Sequence, residues 1–197
     1  MSAAMERAAV PVLEAARKLA AGDKPVLLAI DGRCGSGKST LAAWLAARLP
    51  CHLIHMDDFY LPPARRRPDW TEHPGANMDF ARLRAQLLDP LLAGQPAVYQ
   101  AYACRLGTMQ DPHPLPPRPL ILLEGSYALH PDLAVSATCR VFTTCTQDCQ
   151  QKRLQAREGD HYTAFEQRWI PLEEGYFRQY HPETGCDFVL DTTAWTV

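Results

Sequence analysis

The residues of this chain best suited to chemistry lie together at Gly32, Arg33, Cys34, Gly35, Ser36, Gly37, Lys38, Ser39 and Thr40. Gly32, Gly37, Lys38 and Ser39 stand at the fixed positions of G-x-x-x-x-G-K-[ST]. Glycines at this spacing let the backbone close into a nest whose N–H groups converge on an anion. The lysine can reach the outer phosphates of a nucleoside triphosphate, and the serine hydroxyl is an oxygen ligand for Mg²⁺. Further groups complete the set. Asp57 and Asp58 follow the run at 51–55, and Glu124 closes the apolar run 120–123. An acid ending such a run downstream of a phosphate loop helps hold Mg²⁺ or its water ligands. Arg153 and Arg157 are four apart and share a helical face, which suits a lid closing over the triphosphate. A cradle (32–40), a metal pair (Ser39 and Glu124), cations (Lys38, Arg153, Arg157) and a base (Asp57) are the parts that phosphoryl transfer needs.

These residues need elements to hold them. Residues 26–30 are apolar without alternation, as in a strand buried on both faces of a parallel sheet. Residues 41–49 read as the helix after the loop, and its dipole adds to the anion site. Strands are expected at 51–55, 120–125, 139–144 and 186–190. Helices are expected at about 3–21, where Pro11 starts or kinks the helix, and at 80–92 with Asp79 as N-cap. Two more follow at 148–157 and 165–180, the second interrupted near Pro171. Residues 61–78 read as an ordered excursion beside the site. Residues 97–102 read as a short strand or hairpin arm. The five prolines of 111–119 predict an extended linker. The order gives an α/β domain with a parallel sheet and helices on both faces. One domain spans 1–197, with a lid at about 153–163. Asp57 then lies outside the carboxyl end of a strand, where ligands of open α/β sheets sit.

Bulk properties exclude several classes. A net charge of −2 gives no electrostatic basis for a nucleic-acid or membrane partner. The seven cysteines are odd in number and several lie in apolar stretches, which suits reduced thiols. Their spacing does not fit a zinc finger. Cys34 lies inside the anion loop, where a thiolate would be stabilised; a small loop-filling side chain is the plainer reading. Residues 1–24 are too charged for a signal-peptide core, so a cytoplasmic location is expected. A homo-oligomer is left open. The Asn-Lys-x-Asp element of GTPase switches and the Leu-Ser-Gly-Gly-Gln element of transporter ATPases are both absent.

Residues 26–40, 55–61, 70–102, 120–129 and 146–158 together resemble the uridine kinase-like branch of the phosphoribulokinase/uridine kinase family. Asp57-Asp58-Phe59-Tyr60 resembles its Asp-x-Phe-Tyr element, whose first Asp is the catalytic base. Trp70-Thr71-Glu72-His73-Pro74 with Asp79-Phe80 resembles its His-Pro element, and Leu122-Leu123-Glu124-Gly125 its Glu-Gly strand end. Arg153-Leu154-Gln155-Ala156-Arg157-Glu158 resembles its lid motif. The resemblance implies a five-stranded phosphate-loop sheet of order 2-3-1-4-5. It also implies ATP- and Mg²⁺-dependent phosphorylation of a hydroxyl on a small molecule such as uridine or cytidine. Two departures fall on the acceptor side. The ribose-holding Asp after His-Pro is replaced by Gly75, and the base-reading Tyr-Asp-Phe element by Tyr102-Ala103-Cys104-Arg105. Pantothenate, nicotinamide riboside or a sugar therefore stay open as acceptors, as does a non-catalytic nucleotide-binding regulator. Asp58, Tyr60, Tyr102 and Arg105 are the expected acceptor-binding residues.

Overall fold

A computed structural model describes residues 3–195. Five parallel strands form its centre: β1 (Val26–Gly32), β2 (Cys51–His55), β3 (Leu120–Glu124), β4 (Cys139–Thr144) and β5 (Phe188–Asp191). They lie side by side in the order β2-β3-β1-β4-β5, the expected 2-3-1-4-5.

Alternation along β1 divides the core. Leu28 and Ile30 face α1 (Ala3–Ala20) and α2 (Lys38–Ala46), packing with Val12, Leu13, Leu41 and Leu45. Leu27 and Ala29 face the other layer, with Leu83, Leu87 and Leu91 of α3 (residues 80–92) and Tyr176 of α6 (residues 162–180). Both faces of β1 are therefore dry, which is why its sequence has no polar alternation. In chain order α4 (Pro131–Ala134) and α5 (Gln147–Glu158) fall between α3 and α6.

Both α3 and α6 contain one wide turn, π-wound at Arg84–Leu88 and Phe165–Trp169. Each lies just before a proline, Pro90 or Pro171. A proline ring collides with the carbonyl four residues back, and widening the turn relieves the collision without ending the helix. The interruption expected at Pro171 is thus a π turn in a continuous helix. Pro11 likewise sits inside an unbroken α1. Asp79 caps α3 as expected, its Oδ1 accepting from the Arg82 N–H at 3.1 Å.

The proline-rich stretch is not a free linker. His113–Leu115 pairs antiparallel with Ala97–Tyr99, with Pro114 opposite Val98. Proline is tolerated there because each strand of a two-stranded ribbon is an edge. Tyr102–Ala103 pairs with Thr108–Met109 in a second ribbon. Residues 61–78 form an ordered excursion, closed by a bridge between Tyr60 and Met78.

Candidate active site

Parallel register assembles the site. Ile30 and His55 both lie opposite Glu124, and Gly32 opposite Thr143. The carboxyl ends of β1, β2 and β3 therefore bring the phosphate loop, Asp57 and Glu124 to one edge of the sheet. There they line a cavity of about 810 Å³.

The loop leaves β1 at Gly32, whose φ of 138° is a conformation for glycine. A Cβ there would stand 1.9 Å from the Thr143 carbonyl oxygen. Inside the turn, Ser36 and Thr143 hydroxyls share a hydrogen bond of 2.6 Å. Lys38 Nζ donates to the carbonyls of Gly32 (2.7 Å) and Arg33 (2.9 Å), curling over the nest. Beneath it, buried Asp31 accepts from the Gly32 N–H (2.7 Å), the Leu129 N–H (2.9 Å) and the Tyr176 hydroxyl (2.8 Å). Asp31 so joins the loop, the segment after β3, and α6. Burial raises its pKa, and the three hydrogen bonds and Lys38 work against that rise.

Ser39 Oγ lies 3.2 and 3.1 Å from the two Glu124 oxygens. Glu124 is buried and also meets His55 Nδ1 at 2.6 Å. That hydrogen bond raises the His55 pKa. A hydroxyl and a carboxylate converging beside a phosphate nest form a hard-oxygen set that fits Mg²⁺. Asp57 opens onto the same cavity. Its enclosure by protein and the Glu124 charge raise its pKa, while Lys38 and the Tyr60 hydroxyl favour its ionised form. It is a more basic carboxylate than one in water, as suits a general base.

The two arginines expected to act as a pair have different surroundings. Arg153 donates to the carbonyls of Gly35 (3.2 Å), Thr192 (2.7 Å) and Trp195 (2.7 Å) and to the Thr192 hydroxyl (3.1 Å). It fastens the loop to the end of the chain. Arg157 is exposed, pairs with Glu158 at 2.6 Å and lies over the Phe165 ring, 5.5 Å from its centroid. Only Arg157 is held by surface contacts that a ligand could replace.

Of the residues expected to bind an acceptor, Tyr60 lines the cavity, but Asp58, Tyr102 and Arg105 do not. Asp58 accepts from the Tyr99 hydroxyl at 2.5 Å. Tyr102 is buried in its ribbon, and Arg105 is exposed at the ribbon's turn. Their places are taken by α6. Trp169 and Phe165 face the cavity, and the Trp169 ring lies 6.1 Å from Tyr60 and 6.0 Å from Trp70. Gly75 has φ 83°, and a Cβ there would meet the His130 and Phe80 rings at 3.1 Å. An aspartate, which the uridine kinase pattern has here, would be strained and crowded on this backbone.

The sequence also gave no warning of Glu173. It is 3% exposed, and its Oε1 accepts from the Cys34 N–H at 2.6 Å. Burial lifts its pKa to about 7, against the pull of Lys38 and the Cys34 N–H. Burial and the Glu173 charge in turn push the Cys34 thiol up to about 12, so Cys34 is a protonated, loop-filling side chain. Among the described residues no cluster of three or more His, Cys, Asp or Glu is placed to hold a metal ion. Nor is any helix among them long and apolar enough to cross a membrane.

No family model and no curated protein matches this chain. Solved structures do. A provisionally assigned uridine kinase from Bacillus stearothermophilus superposes with a TM-score of 0.73 at 21% identity, over 95% of this chain and 99% of that one. A provisionally assigned fructose transport system kinase from Silicibacter sp. TM1040 gives 0.70 at 21%, over 96% and 99%. The D-glycerate 3-kinase of Cryptococcus neoformans var. grubii gives 0.57 at 16%, over 88% of each. The chain therefore has the α/β phosphate-loop fold of these kinases.

Proposed function

We propose that this protein transfers the γ-phosphoryl group of ATP to a hydroxyl group of a small molecule, a nucleoside in the first place. One observation carries the reading. Lys38, Ser39, Glu124 and Asp57 line a single cavity at the carboxyl edge of the sheet, and together they supply the groups that a phosphate cradle, a cation site and a base would need.

The chain's own groups divide the work. Backbone N–H groups of Gly35 and of residues 37–40 bind the phosphates, and Lys38 leaves its carbonyl partners to neutralise the outer ones. Ser39 and Glu124 would hold Mg²⁺, which when bound offsets phosphate charge. Asp57 accepts the acceptor's hydroxyl proton as the new O–P bond forms and the β–γ bridging bond breaks, its electron pair leaving on ADP. Arg157 swings from Glu158 to meet charge on the transferred group. Arg153 acts indirectly, by holding the Gly35 carbonyl.

The aromatic surfaces of Tyr60, Phe165 and Trp169 favour an acceptor with a flat ring. The tight space at Gly75 takes away the family's contact to ribose, which favours an acceptor without ribose such as pantothenate; nicotinamide riboside or a sugar is the other alternative. The test is acceptor-dependent ADP release over nucleosides, nicotinamide riboside, pantothenate and sugars. Release with a nucleoside supports the first reading. ATP binding with no release across the panel overturns it in favour of a regulatory nucleotide-binding protein.

A further inference from the structure

Helix α6 places two carboxylates on the phosphate loop. Glu174 pairs with Arg33. Glu173 is seated more deeply. Beside the bond from the Cys34 N–H, its Oε2 takes the Cys34 thiol at 3.5 Å and Gln150 Nε2 at 3.2 Å. Gln150 also donates to the Cys34 carbonyl at 3.0 Å, closing a ring of contacts around one loop residue. One turn further along α6, Tyr176 is pinned by Asp31 beneath the same loop. The helix is thus fixed at two points, and Glu173 faces the cavity beside Lys38.

We propose that Glu173 sets the nucleotide affinity of this loop: its carboxylate occupies a loop N–H as a built-in anion, and nucleotide binds fully only when that negative charge is removed. The proposal rests on the reading that the loop takes a nucleotide. A triphosphate brings several negative charges into a confined site already holding one, where water screens poorly. Protonating Glu173 removes the repulsion without moving α6. The groups facing it are Arg33, Cys34 and Lys38 from the loop, Gln150 from α5, Tyr127 from the segment after β3, and its neighbours Glu174 and Tyr176. Burial drives the pKa values of Cys34, Tyr127 and Tyr176 upward, away from neutrality. Glu173 itself is lifted to about 7, so its charge changes within the ordinary working range.

The experiment is equilibrium binding of Mg·ATP, without acceptor, to the wild type and to Glu173→Gln. Glutamine keeps an oxygen for the Cys34 N–H and removes the charge. If the ionised form excludes nucleotide, the wild-type Kd should exceed the variant's by a factor of 1 + 10^(pH − pKa). With a pKa of about 7, that ratio is about 1 at about pH 5.5 and climbs toward about 30 at about pH 8.5. Titration of ATP itself cancels in the ratio. A ratio flat within about threefold, or a variant that binds more weakly throughout, overturns the proposal. A measurement on the wild type alone guards against a variant that fails to fold. Calorimetry at about pH 8 in two buffers of different ionisation enthalpy should show uptake approaching one proton per Mg·ATP bound, and no uptake overturns the proposal. A wild type that binds no Mg·ATP at any pH overturns the functional reading as well. Binding with a flat ratio overturns this inference alone.

Discussion

Gly32→Ala should strike the stability of the sheet and the shape of the loop at once. The added Cβ would stand 1.9 Å from the Thr143 carbonyl oxygen and 2.7 Å from both its nitrogen and its hydroxyl. A Cβ has no rotamer to escape into, and two of the three contacts are backbone. Thr143 is fully buried and paired with Gly32 in the β1–β4 ladder. Relief requires the strand ends to part, which breaks the Arg33 N–H bond to the Thr143 carbonyl, now 3.1 Å, and disturbs the Ser36–Thr143 contact. Two hydrogen bonds at about 1 kcal/mol each and about 2 kcal/mol of strain and overpacking give a loss of about 4 kcal/mol. For a chain of this size that lowers Tm by about 8–16 °C. Gly94→Ala is the control. Gly94 also has positive φ, 72°, but nothing lies within 4 Å of its Cβ position, so only about 1 kcal/mol of backbone strain is expected. Thermal melts followed by circular dichroism compare the two. Calorimetry should show Mg·ATP affinity lost by more than about tenfold in Gly32→Ala only. Were Gly32→Ala to melt within about 3 °C of Gly94→Ala, the close approach of β1 and β4 at the loop's origin would be refuted.

Asp57→Asn should lower turnover by about 10²–10⁴-fold while Mg·ATP affinity stays within about threefold; a wild-type rate with any accepted substrate would dismiss Asp57 as the base. Trp169→Ala should raise the acceptor's KM by about tenfold through loss of ring contact, with Mg·ATP affinity unchanged. A defect confined to nucleotide would move Trp169 out of the acceptor side. Stability should fall as pH rises through neutrality. Asp31, Asp57, Glu173 and His55 all have raised pKa values, so the folded chain binds more protons than the unfolded one. For buried Glu173 the window runs from the usual 4.5 to about 7, a loss of up to about 3 kcal/mol. Burial lowers the pKa values of His52 and His130, which act the other way below the usual 6.5 and offset part of this loss, while the lowered values of exposed Asp69 and Asp191 act in the acid range. Urea unfolding at about pH 5.5 and about pH 8 measures the difference. Greater stability at the higher pH would contradict it.

The half of the site built on the glycine-rich loop was readable because its pattern is local. A nest needs glycines at fixed spacing within nine residues, and β1 and β3 are dry on both faces, so their apolar runs are unbroken. The strand ends then fix where Asp57 and Glu124 fall. The remainder depends on contacts between distant segments. Helical spacing puts Arg153 and Arg157 on one face, but it cannot show that Thr192 and Trp195 pack against the first and not the second. Asp58 looks like a partner of Asp57 until Tyr99, forty-one residues on, takes its carboxylate. Glu173 reads as a solvated helix charge, and only the fold shows that it faces the loop. For Trp169, an aromatic residue on the helix after the paired arginines was the one available sign.

The π turn at Phe165–Trp169 bears on how such a protein can change. A wide turn holds one residue more than an α turn of the same rise. Deleting a single residue inside it would restore ordinary winding and leave the turns on either side in place. Only the residues of the wide turn, Phe165 to Trp169, would be re-aimed, while Arg157 before it and Glu173 and Tyr176 after it kept their places. A one-residue deletion could therefore remodel one wall of the cavity in a single genetic step and leave the glycine-rich loop intact.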